Sequence, residues 1–326
     1  MPPPPLTLTI PPLSQSHTQT IILLHGRGSN PSRLAPLLDT PFPSSQPSSP
    51  SPLSPSSLPS QTSPHPLKNE TLRTLFPQAK FTLPHAPRSR ATIYKRSVIP
   101  QWFDSWHVDL DLDDESDIRE AKNQDWLMVE GLQEITAYLH GLIREEIALV
   151  GGRNVYIGGI SQGCAASLVA LLLWDGERLG GCLGMCGRLP FEGAMEEAMA
   201  GGKDGWDPFE REDEEDVFGR RDEEDNDEDN IDAGVAAVNE LRERLELDGR
   251  IKNRPVTLAT PVFMGHGTDD LKVPFQLGEM AVDCLTKMGV DVTWHTYPGL
   301  GHWYSVDMAK DMAAFLKINN TQSTTN

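Results

Sequence analysis

The chain is 326 residues long and carries 28 Lys and Arg against 47 Asp and Glu, a formal net charge of -19 at neutral pH. An acidic balance of that size leaves no clustered cations for nucleic-acid phosphates, and no run approaches the roughly 18 consecutive apolar residues of a membrane span. The four cysteines lack zinc-ligand spacing and the opening Met-Pro-Pro-Pro-Pro lacks signal-peptide regions, so a cytoplasmic protein with reduced thiols, no metal and no stable membrane insertion is expected.

The first apolar strand spans residues 20–24 and runs into His25-Gly26-Arg27-Gly28-Ser29. A glycine-rich turn at that place aims backbone N–H groups outward from a strand end. Residues 40–66 are almost entirely proline and serine, a composition that cannot bury enough apolar surface to offset ordering entropy, and they read as an insert. A strand follows at 80–83. Residues 125–147 then carry Val129, Leu132, Ile135, Leu139, Leu142 and Ile147 at helical spacing.

The next strand, 155–158, is followed by Gly159-Ile160-Ser161-Gln162-Gly163 and an alanine- and leucine-rich helix at 165–174. A chance glycine-serine pattern would lack those flanks. With them, the five residues are a strand-to-helix turn that thrusts the Ser161 hydroxyl above a sheet, the placement of a nucleophile. A strand at 181–185 precedes the second insert, 203–230, which has 15 acidic and 4 basic side chains, net -11. More than half of the chain's acidity therefore belongs to one stretch, which like-charge repulsion keeps solvated. It lacks the ligand alternation and glycine of a calcium loop, and a partner for it is not identified.

A strand at 261–264 then ends in Gly265-His266-Gly267-Thr268-Asp269-Asp270, a loop that offers two carboxylates. A helix at 276–288, a strand at 292–297, the turn Pro298-Gly-Leu-Gly-His302 and a helix at 306–316 complete the chain. His295 lies within a strand pattern and reads as structural. His25 and His266 each precede a glycine at a strand end, where a loop-shaping hydrogen bond is the simpler role. His302 alone follows the last strand, where a base is needed, and spacing does not separate Asp269 from Asp270. Strands alternating with helices predict a mainly parallel sheet covered on both faces, and serine, acid, histidine is the chain order of the α/β-hydrolase fold.

Taken together, His25-Gly26-x-Gly28, Pro84-His85-Ala86-Pro87, Trp102-Phe103-Asp104, Asp114-Glu115-Ser116, Gly158 to Gly163, His266-Gly267-x-x-Asp270-x-x-Val273-Pro274 and Gly301-His302 resemble the phospholipase/carboxylesterase family of α/β-hydrolases, which includes the acyl-protein thioesterases. The resemblance implies one catalytic domain, with its core at about 18–317, interrupted by the two inserts. It implies Ser161, Asp270 and His302 as the triad, with Asp270 chosen because it lies three positions before Val273-Pro274. The backbone N–H groups of Arg27 and Gln162 become the oxyanion hole. It further implies that no cofactor is needed and that the substrate is an acylated protein, a lysophospholipid or a small ester. A non-catalytic protein on the same fold would show a damaged triad, and here all three members stand. Two positions depart from the family pattern: Arg27 replaces a usual leucine, and Cys164 a usual glycine. A guanidinium facing the acyl pocket favours short, medium or polar-ended acyl groups, and Cys164 is expected to pack behind the nucleophile.

Overall fold

The structure, a computed structural model, describes residues 6–43, 69–105, 124–201 and 231–321. Among these the strands, in chain order, are β1 (Thr7–Ile10), β2 (Gln19–Leu24), β3 (Phe42–Pro43), β4 (Asn69–Glu70), β5 (Ala79–Pro84), β6 (Arg88–Ala91), β7 (Ser97–Pro100), β8 (Val155–Ile160), β9 (Gly181–Met185), β10 (Val262–Gly267) and β11 (Val292–Tyr297). Seven of them form the central sheet in the order β1-β5-β2-β8-β9-β10-β11. All neighbours pair in parallel except β1, which runs antiparallel to β5. This is the expected α/β class, and every strand anticipated from the sequence is present.

The sheet is covered on both faces because successive side chains along a strand point to opposite sides. Ile22 and Leu24 of β2 join Val155 and Ile157 of β8 in one core layer, beneath the helices Trp126–Val150, Gln162–Leu172, Ala233–Arg244 and Phe275–Lys287. Ile21 and Leu23 join Tyr156, Phe81 and Phe263 in the other, beneath the helix Val306–Thr321 and the short turns around Leu37 and Leu72. Strands buried on both faces read as continuous apolar runs, which is why β2 and β8 stood out in the sequence. Each fully buried Leu or Ile contributes about 1.5–3 kcal/mol relative to exposure. All eleven residues of Gln162–Leu172 are buried, so the helix after Ser161 is anchored on every side.

Several elements differ from the sequence expectation. The edge strand β1 was not anticipated, because four residues between proline-rich segments carry little pattern. The 203–230 insert lies outside the described residues, and so does 44–66 of the first insert. That first segment was expected to begin at Thr40, yet Phe42–Pro43 pairs antiparallel with Asn69–Glu70, and Phe42 is buried in the second core layer. One apolar side chain with a core to enter holds the start of the segment in the fold. The helix Ala233–Arg244 was also unanticipated, since among its buried residues only Val235, Val238 and Leu241 are large and apolar.

Candidate active site

The site lies at the carboxyl ends of the parallel strands, where an open α/β sheet leaves its loops free to converge. Ser161 sits between β8 and the helix Gln162–Leu172 with φ 59° and ψ -123°. That left-handed φ is uncommon for a residue with a side chain, and such strain concentrates at functional turns. The neighbouring glycines explain how the turn fits. A Cβ on Gly159 would lie 2.5 Å from the Leu24 carbonyl oxygen, and one on Gly163 would lie 2.4 Å from the same atom. The end of β2 thus presses directly on the elbow, and side chains at those two positions would push it away. The Ser161 N–H donates to the Met185 carbonyl at 2.8 Å, fixing the apex to β9.

The loop after β2 packs against the serine: a Cβ on Gly26 would lie 3.3 Å from Ser161 Cβ and 3.7 Å from Ser161 Oγ. His25 braces this loop. Its Nδ1 lies 2.8 Å from the Gly26 carbonyl oxygen, its Nε2 accepts from the Ala86 N–H at 3.0 Å, and its own carbonyl accepts from Trp102 Nε1 at 2.7 Å. Burial pushes this imidazole down to about 4. The loop-shaping role read for His25 is what the structure shows. Gly28 N–H donates to Pro100 at 2.7 Å, closing the loop on β7. Among the described residues the Arg27 N–H meets no acceptor, and Gln162 opens its helix, where an N–H has no intrahelical acceptor.

The side chains of those two residues have other partners. Gln162 Oε1 accepts from the Trp102 N–H at 2.9 Å and its Nε2 donates to the Phe103 carbonyl at 2.6 Å, so the residue clamps that segment beside the site. Arg27 turns its guanidinium to Ser105, where Nη2 donates to Oγ. Burial pushes the guanidinium down to about 10, against the attraction of Tyr94 and Asp104. Nothing in the sequence signalled the Gln162 clamp or the Ser105 contact. Cys164 is fully buried as expected, and a Cβ on Gly187 would lie 2.5 Å from its Sγ.

On the other side of the serine, β10 and β11 end in the loops that carry the acid and the histidine. Asp270 Oδ2 lies 2.7 Å from His302 Nδ1, and Oδ1 accepts from the N–H groups of Lys272 and Val273 at 2.9 and 3.0 Å. Burial pushes the carboxyl up, but the bonds from His266, His302 and the Val273 amide prevail and hold it well below the usual carboxylate range. Asp269, left open by spacing, is exposed, and its Oδ1 accepts from Thr268 Oγ1 at 2.8 Å. His295 packs in β11 against Phe263, with Nδ1 3.4 Å from Asp311 Oδ2. His266 proves to be more than a loop brace, because its Nε2 also lies 3.2 Å from Asp270 Oδ2. The four-residue spacing of His266 and Asp270 was the available signal. The Asp114-Glu115-Ser116 motif lies outside the described residues.

A profile of the phospholipase/carboxylesterase family matches residues 62–203 and 235–320. The chain belongs to that family. Within and around it, the chain is 25% identical to acyl-protein thioesterase 1 of Gibberella zeae over 94% of this chain and 92% of that one. It is 26% identical to the carboxylesterase SOBER1 of Arabidopsis thaliana, over 76% of this chain and 83% of the relative. Among solved structures it resembles Zea mays acyl-protein thioesterase 2, with a TM-score of 0.57 at 18% identity, covering 97% of this chain and 99% of that one. The α/β-hydrolase fold of the family is thus shared across this likeness. No helix among the described residues is long and apolar enough to cross a membrane.

Proposed function

We propose that this family member is a serine hydrolase that cleaves acyl thioesters or carboxylic esters in two steps, through an acyl-Ser161 intermediate. His302 is positioned by Asp270 through Nδ1, which leaves Nε2 as the nitrogen that takes the Ser161 proton. It then gives that proton to the leaving thiol or alcohol and activates the water that releases the acyl group. Asp270, ionised over the working pH range, holds the tautomer and stabilises the imidazolium. The N–H groups of Arg27 and Gln162 receive the developing oxyanion. These steps use side chains and amides of the chain alone.

The observation that carries this reading is the strained Ser161 apex packed against the Gly26 loop. A serine held at φ 59° between two sterically required glycines is hard to account for by folding alone. The likeness to proteins named acyl-protein thioesterase supports an acylated protein as the first substrate reading, and a cytoplasmic setting is part of the proposal. The second reading, a small-molecule carboxylesterase, is supported by the likeness to the carboxylesterase SOBER1 and takes short or medium acyl chains in preference to palmitoyl. One experiment tests both. Wild type and Ser161→Ala are assayed on C4, C8 and C16 thioesters and the matching esters, together with fluorophosphonate labelling. Ser161→Ala should lose turnover and labelling with an unchanged circular dichroism spectrum; retained turnover would sink the nucleophile assignment. The chain-length profile of the wild type decides between the two substrate readings.

A further inference from the structure

His266 stands near the end of β10, and its side chain is closed to solvent. Its Nε2 lies 3.0 Å from the Val273 carbonyl oxygen and 3.2 Å from Asp270 Oδ2. A carbonyl and a carboxylate only accept, so Nε2 carries a proton and shares it between them. The other nitrogen, Nδ1, is buried with no hydrogen-bond partner. The backbone of Phe275–Lys287 approaches so closely that a Cβ on Gly278 would lie 2.4 Å from it. A proton on Nδ1 would be a buried donor without an acceptor, which is costly, so the geometry puts the N–H at Nε2. Phe275 and Trp294 flank the imidazole at centroid distances of 6.1 and 6.3 Å.

Packing alone does not account for an imidazole here. A bare ring nitrogen in a dry core is a defect that phenylalanine would remove, so the residue's advantage lies in its donor. That donor is divided between the Val273 carbonyl, at 3.0 Å, and, at 3.2 Å, the carboxylate oxygen that also faces His302. Asp270 Oδ2 is reached by His266 and by His302, while Oδ1 is held by two amides. We propose that His266 is a positioning residue for the reaction, pinning Asp270 Oδ2 from behind so that His302 is presented in a single orientation. The inference rests on the Asp270 and His302 roles given above.

An electrostatic consequence accompanies the positional one. Each donor draws charge from the carboxylate, so removing the His266 donor makes Asp270 a stronger partner for the imidazolium form of His302. Of the titratable groups around it, Asp270 touches His266 directly, and His302 and Cys186 each interact with Asp270.

His266→Phe keeps a ring between Phe275 and Trp294 and removes the donor, whereas His266→Gln restores an N–H near the place of Nε2. With active sites counted by fluorophosphonate titration on a neutral chromogenic ester, His266→Phe should lower kcat by about 10- to 100-fold. KM should stay within about twofold. The acid limb of the kcat/KM profile should move up by about half a pH unit, and His266→Gln should recover most of both changes. Unchanged kcat per titrated site with an unmoved acid limb overturns the proposal, whatever happens to stability. The wild-type protein supplies a check that does not depend on the Phe variant folding. Its ¹⁵N spectrum should show His266 protonated at Nε2 and bare at Nδ1 through neutral pH, with the Nε2 proton moving in Asp270→Asn. A protonated Nδ1, or no response to Asp270→Asn, overturns it too. Turnover surviving in Ser161→Ala would instead remove the serine mechanism while leaving the His266–Asp270 coupling measurable.

Discussion

Two strands of the same sheet carry the same dipeptide at their carboxyl ends, just past the end of β2 and as the last residues of β10. β2 delivers His25-Gly26 and β10 delivers His266-Gly267, and both imidazoles are fully buried. Yet the first has both nitrogens matched to backbone, Nδ1 at Gly26 and Nε2 at Ala86, while the second shares one nitrogen between Val273 and Asp270 and leaves the other bare. A histidine satisfied by backbone shapes a loop and keeps it shaped. A histidine tied to a carboxylate enters the electrostatics of whatever that carboxylate does. Identical local sequence therefore supports two different contributions to one site, and the partners decide which.

The sharpest way to break the comparison is through the carboxylate. If His266 matters by way of Asp270, then Asp270→Asn should lower kcat by about 10⁴-fold, the size of effect for the acid of such a triad. Asp269→Asn, altering an exposed neighbour, should stay within about twofold. The reverse ranking on a chromogenic ester would move the acid by one residue.

The β2 side should respond more weakly in rate and more strongly in stability. His25→Phe removes both side-chain ties of the loop that carries the proposed Arg27 oxyanion donor, and kcat should fall by about 10²-fold with a lower urea midpoint. Wild-type kcat in that variant would show that the Gly26 loop is held by Trp102 and Pro100 alone.

The smallest effect sharpens the same contrast with pH. Protonating His25 would set a new Nε2 hydrogen against the Ala86 N–H, and burial opposes the charge as well, so the folded protein resists it down to about 4. The unfolded chain takes up that proton near the ordinary value of about 6.5. Stability from this group is thus complete above about pH 6.5 and is lost as pH falls toward 4, by roughly 3 kcal/mol at most. Urea midpoints at several pH values should show that loss in wild type and a flatter dependence over the same window in His25→Phe.

Much of this arrangement was legible in the residues. Ser161 was marked by its glycines and flanking elements, and the strands on which it depends are apolar throughout because both faces are covered. Asp270 and His302 followed from chain order and the family's spacing, with Asp269 separable only by the motif. What stayed hidden depends on contacts distant in sequence. The Gln162 side chain reaches residues 102 and 103, and Arg27 reaches Ser105, neither of which any periodicity reports. The hairpin of β6 and β7 was silent for another reason: Lys95 and Arg96 adopt the left-handed conformation at its turn, where glycine or asparagine would have announced it. The edge strand β1 is short and half exposed, so its alternation was too brief to register.

The two-residue ladder of β3 and β4 places Pro43 beside Asn69. Paired residues in such a ladder lie about 5 Å apart at Cα. Pro43 and Asn69 therefore stand side by side at one point of the body. For protein engineering this is a natural splice junction: a fluorescent or affinity module whose own termini are adjacent can replace residues 44–68 and hang from that point. Such a fusion would carry its tag internally, leaving both chain ends free and the strand order of the sheet undisturbed.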